Sequence, residues 1–179
     1  MFPESTFAGK ITSKQIVNCD IAKTDKCALM FSGGLDAVSS LVTHFDEQPD
    51  LIAVWGADID YDNNEGWRVV KEGLDKSAKQ FDHDLITIKS SFREFDHENE
   101  LSIEFQKDLK DGWWHGVKHG LGLLGHIAPL TYTKKYSLVY IASSFCFEDR
   151  EVRCASYPTI DNNVRFASAS IEHDGFDLR

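Results

Sequence analysis

Between Cys27 and Ala37 the chain reads CALMFSGGLDA. An unbroken apolar run stops at Ser32-Gly33-Gly34, and a carboxylate, Asp36, follows two residues later. A strand with one wet face alternates apolar and polar residues; a continuous apolar run suits a strand covered on both faces of a parallel sheet. The glycines then end the strand, and the segment Asp36–Phe45 reads as a helix. Strand, tight turn and helix is the opening unit of an α/β fold.

The rest of the chain repeats this alternation. Leu51–Gly56 and Leu138–Ala142 are further near-continuous apolar runs, and Leu85–Ile88 is a weaker fourth. Between them, residues 64–81 carry Trp67, Val70, Leu74 and Ala78 at helical steps, and residues 113–133 read as another helix. These elements predict a three-layer α/β/α sandwich around a mostly parallel sheet of about five strands. Residues 1–26 are expected to be an N-terminal lead, with KITSKQIVNC as an edge strand. Residues 27–179 are expected to form one domain, in which the charge-rich stretch 90–111 is an insertion or lid. At 179 residues, 42% hydrophobic and 27% charged, the chain has the size and composition of one globular domain.

Charge narrows the partners. Nineteen Lys and Arg against 29 Asp and Glu leave a net charge of −10, which disfavours nucleic acid and anionic membrane surfaces. No stretch approaches the roughly 20 apolar residues of a membrane helix, and MFPESTFAGKITSK lacks the apolar centre of a secretory signal. A cytosolic protein is expected. The four cysteines, Cys19, Cys27, Cys146 and Cys154, form no C-x-x-C pair and read as free thiols.

SGGLDA also has a chemistry. Glycines between a strand and a helix leave bare N–H groups at a helix N-terminus, whose partial positive charge attracts phosphate, and Ser32 adds a hydroxyl. A Walker A loop needs a Lys that is absent here, and a nucleophile elbow, G-x-S-x-G, needs a glycine where Met30 stands. The blander alternative is a plain strand-to-helix turn. Asp36 would repel phosphate unless a cation stood between them, which makes the loop suited to Mg²⁺ with a nucleotide polyphosphate.

The loop resembles that of the PP-loop ATP pyrophosphatases of the adenine nucleotide α-hydrolase-like (HUP) group, whose signature SGGxD[ST] directly follows the first strand. Ala37 stands where the family usually carries Ser or Thr. LIAVWGADID, residues 51–60, is similar to the family's second strand, and residues 113–144 to its later α/β unit. The resemblance implies that ATP lies along Phe31, Ser32, Gly33, Gly34, Leu35, Asp36 and Ala37, with adenine near Trp55 and Gly56 and a second loop at Ser143 and Ser144. It implies cleavage between the α and β phosphates, giving the adenylate of a small carboxyl or carbonyl acceptor plus pyrophosphate, after which a nitrogen nucleophile displaces AMP. Ser32 and the loop N–H groups would hold the pyrophosphate, and Asp36 the Mg²⁺. Two alternatives stay open: a nucleotide-binding module without turnover, suggested by Ala37, and a tRNA-thiolating enzyme using Cys154. A second copy or a partner subunit could complete the pocket of so short a chain.

Other residues offer weaker signals. In WWHGVKHGLGLLGH, His115, His119 and His126 fall on one helical face, where they could hold a metal, contact substrate or serve only the fold. Lys118, His119, Arg153 and Arg165 are candidates to grip a substrate or phosphate, the arginines through two parallel hydrogen bonds.

Overall fold

The computed structural model describes residues 10, 12–15, 24–146, 148 and 154–178. The first strand, β1 (Cys27–Met30), is followed by α1 (Leu35–Thr43), β2 (Asp50–Trp55), α2 (Asn64–Phe81) and β3 (Leu85–Lys89). Two short helices, α3 (Glu98–Glu104) and α4 (Gln106–Leu109), lead to a π-helical turn at Trp114–Lys118. Next come α5 (His119–Gly125), α6 (Ala128–Lys134), β4 (Leu138–Ala142), α7 (Pro158–Asp161), β5 (Arg165–Phe166) and β6 (Ala169–Asp174).

The six strands form one sheet in the order β3-β2-β1-β4-β6-β5, parallel throughout except for β5. The molecule is therefore an α/β fold with a mostly parallel sheet. In the centre, Leu29 of β1 lies between Leu51 of β2 and Tyr140 of β4. Alternate residues of β1 serve opposite cores, which explains its apolar run. Leu29 and Phe31 pack with Leu41 of α1 and Trp67 and Leu74 of α2. Ala28 and Met30 pack on the other side with Leu124, Ile127 and Tyr136. Helices thus cover both faces.

Three expectations change. The sheet has six strands rather than about five, because the C-terminal β5–β6 hairpin reads as polar in sequence. In β6, however, His173 and Asp174 are buried and paired, His173 Nδ1 lying 2.7 Å from Asp161 and Asp174 lying 3.2 Å from His44 Nε2. The single helix expected at 113–133 is instead a π turn and two helices, with Pro129 in the first turn of α6. The stretch 90–111 is mostly helical, and ion pairs organise it. Arg93 binds Glu98 at 2.6 Å and donates to the Ala57 carbonyl at 2.7 Å, while Lys118 reaches Asp96 and Glu98. Of the proposed edge strand KITSKQIVNC, residues 10 and 12–15 are described and do not form a strand; residues 11 and 16–19, Cys19 among them, lie outside the described residues. Among those residues no helix is long and apolar enough to cross a membrane.

Candidate nucleotide site

In this strand order the connections run one way from β1 to β2 and β3, and the other way from β1 to β4 and β6. The loops after β1 and β4 diverge at that reversal, which leaves a crevice at the carboxyl edge of the sheet, where ligands of open α/β sheets bind. A cavity of about 310 Å³ opens there. Phe31, Ser32, Gly34, Asp36 and Ala37 line it from the loop after β1, and Ser144 from the loop after β4.

The loop's glycines have separate reasons to be there. Gly33 sits at φ +79°, a region disfavoured for side chains, and a Cβ on it would stand 3.1 Å from Leu74. Gly34 is the extended N-cap of α1, and its N–H donates to Ser32 Oγ at 3.3 Å. Val38 makes the first α1 hydrogen bond, to the Gly34 carbonyl at 3.0 Å. The N–H groups ahead of it are those that a helix leaves without an intrahelical partner. Asp36 therefore occupies the first turn of α1, beside those donors and against the cavity. Ala37 is buried in the core with Leu41, so its methyl group packs where a hydroxyl would need a partner.

The opposite walls come from five other segments. Ile52, Ala53 and Val54 of β2 and Trp67, Val70 and Leu74 of α2 make the apolar floor, while Ala57, Asp58 and Ile59 belong to the loop after β2. His119 and Leu123 of α5 and the buried Ser156 close the far side. His119 Nδ1 lies 3.6 Å from Cys154 Sγ. Burial lowers the His119 pKa, the charge of Asp58 opposing it, so the ring is neutral at neutral pH. Burial likewise raises the Cys154 thiol, which stays protonated.

Several residues singled out from sequence do not line the cavity. Leu35 is 83% exposed and points to solvent. Trp55 stacks on Trp67 with centroids 5.3 Å apart, donates Nε1–H to the Asp60 carbonyl at 2.9 Å, and carries Lys89 over its ring. Gly56 is required by packing: at φ +109°, a Cβ would fall 1.8 Å from the Ser90 carbonyl oxygen. Ser143 donates its hydroxyl to the Phe145 carbonyl at 2.6 Å. Lys118 is committed to Asp96 and Glu98, and Arg165 to the carbonyls of Asn162 and Val164. Arg153 lies outside the described residues.

The three histidines part company. His115 Nδ1 faces Asp111 at 2.7 Å, and His126 lies against Ser90 Oγ and the Gly122 carbonyl, which leaves His119 alone of the three at the cavity. Among the described residues no group of three or more His, Cys, Asp or Glu side chains could hold a metal ion. Asp58 and Ser156 escaped the sequence reading. Asp58 follows a strand end, where α/β ligands gather, and that signal could have found it; Ser156 carried none.

Comparison with known proteins adds no relative. No family model, curated protein or solved structure matches this chain. The functional reading rests on the loop and the cavity.

Proposed function

We propose that the chain binds Mg–ATP at the Ser32–Ala37 loop and uses it as a PP-loop ATP pyrophosphatase of the adenine nucleotide α-hydrolase-like kind. The observation that carries this reading is the position of SGGLDA. Its serine, its second glycine and its aspartate line one cavity, at the N-terminus of α1 and at the point where the strand order reverses.

In this reading the polyphosphate lies on the N–H groups of the first turn of α1, with Ser32 beside it. The apolar surface of Ile52, Val54 and Val70 takes the base or the acceptor's carbon skeleton. Mg²⁺ fits the donor set, because it favours one or two carboxylates together with phosphate oxygens over an all-protein cage. Asp36 would hold it, and its chemistry is to neutralise charge on the departing pyrophosphate. The chain's own contribution is positioning and electrostatic stabilisation by oriented donors, which needs no general base for adenylation.

Pyrophosphate release from ATP, measured with Mg²⁺ in the presence and absence of small carboxylic acids, tests the activity. Release stimulated by an acid supports ligation chemistry. Binding of Mg–ATP without any release supports the second reading, a nucleotide-binding module, which the packed methyl group of Ala37 favours. Failure to bind Mg–ATP sinks both.

A further inference from the structure

The polar groups on the far side of the cavity can accept hydrogen bonds. Ser156 Oγ spends its proton on Asp161 Oδ2 at 2.7 Å, and His173 Nδ1 lies 2.7 Å from the same oxygen of that wholly buried carboxylate. Ser156 therefore offers only lone pairs elsewhere. Asp58 is an exposed carboxylate in the same lining. No Lys or Arg is among the described lining residues, and the nearby cations Arg93 and Lys118 are taken up by Glu98 and Asp96.

We propose that the Asp58–His119–Ser156 corner is a subsite for a small primary ammonium compound with a short apolar stem. Asp58 supplies the charge, His119 Nε2 and Ser156 Oγ accept the remaining N–H groups, and Ile59 and Leu123 flank the stem. This requires that the His119 Nδ1–H donate to Cys154 Sγ, which leaves the Nε2 lone pair for the ligand; the Ser156 N–H, 3.4 Å from the same sulfur, helps fix the thiol. Burial, with the charges of His115 and Arg93, outweighs the carboxylates of Asp58 and Asp161 and keeps the His119 ring neutral and able to accept. An anionic second ligand would meet only acceptors and a carboxylate here. The inference rests on the reading of this cavity as the ligand site; to act there as the nitrogen nucleophile the ammonium first gives a proton to His119 Nε2, and the freed amine lone pair then forms the bond to the acyl carbon as AMP leaves.

The test uses the whole chain without nucleotide, so it is independent of ATP. Calorimetric titration near pH 7 with butylammonium chloride and with sodium butyrate should show binding of the first only. Asp58→Asn should weaken butylammonium binding about tenfold or more, the usual scale of a lost hydrogen bond to a charged group. Nitrogen NMR of the ring should report His119 as the Nδ1–H tautomer, with its Nε2 signal moving when butylammonium is added. No butylammonium binding, butyrate binding as tightly, an Asp58→Asn variant with normal melting and unchanged affinity, or an Nε2–H tautomer would each overturn the subsite. Mg–ATP binding, measured separately, can fail while this result stands.

Discussion

Asp36 stands at the second position of α1, and Gly34 rather than Asp36 caps that helix. At a first turn the carboxylate also interacts with the helix dipole, worth about 0.3–1 kcal/mol. Asp36→Asn keeps the side chain's shape and removes its charge. If the carboxylate holds the cation between the loop and the polyphosphate, the same change lowers Mg²⁺-dependent ATP affinity by about tenfold or more and scarcely alters AMP binding. Titrations of ATP with and without Mg²⁺, set beside melting curves, separate the two roles, and unchanged Mg–ATP affinity would remove Asp36 from the site. Gly56 makes a contrasting case. A Cβ 1.8 Å from a backbone oxygen, at a positive φ, has no room to relax, so Gly56→Ala should lower stability by roughly 1–3 kcal/mol in a denaturant titration. Its role is to let the loop after β2 approach the loop after β3.

At the scale of elements, α5 depends on close approach. A Cβ on Gly120 would lie 2.6 Å from the Ala155 carbonyl oxygen and 2.8 Å from both Asp161 Oδ1 and Ser156 Cα. Gly120→Ala should push α5 from the 154–161 segment, at a cost of roughly 1–3 kcal/mol, and disturb the neighbouring His119 and Ser156. Gly73, in the middle of α2, has nothing within 4 Å of the corresponding position, so Gly73→Ala should stabilise the chain by up to about 1 kcal/mol. Equal melting shifts for the two variants would contradict this account. The same elements show what could be read in advance. β1, β2, β3, β4 and α2 were legible because their apolar residues sit at the period of the element and face a core. β6 was not, because three of its last four residues are Glu172, His173 and Asp174, two of them buried through pairing that only the fold creates. The break between α5 and α6 was hidden because the apolar pattern continues through it. In the cavity, the glycine loop was legible from local spacing, whereas the meeting of Asp58, His119 and Ser156 depends on three distant segments and has no local signature.

Across the molecule, one network ties α1 to the far side of the sheet. His44, just past α1, places Nδ1 2.8 Å from Glu47 and Nε2 3.2 Å from Asp174 at the end of β6, and its ring stacks on Tyr140 of β4 at 3.8 Å. Tyr140 donates its hydroxyl to the other Glu47 oxygen at 2.7 Å. The Asp174 carbonyl in turn accepts the N–H of Ser143, on the loop that brings Ser144 to the cavity. Burial opposes charge on His44, but the hydrogen bonds to Glu47 and Asp174 outweigh it and raise its pKa above 6.5. Glu47 moves the other way, below 4.5, through the hydrogen bonds from Tyr140 and His44. A raised histidine contributes stability that is complete below its unfolded value and is lost as pH rises through the folded one; a lowered carboxylate contributes stability that is complete above its unfolded value and is lost as pH falls through the folded one. Both contributions are therefore whole between about pH 4.5 and 6.5. The melting temperature of the wild type should exceed that of His44→Gln most within this window, and the gap should narrow as pH climbs beyond 6.5. A gap that stays constant from pH 5 to 9 would mean that His44 acts by packing on Tyr140 alone, and that its charge has no part in fastening α1 to β6.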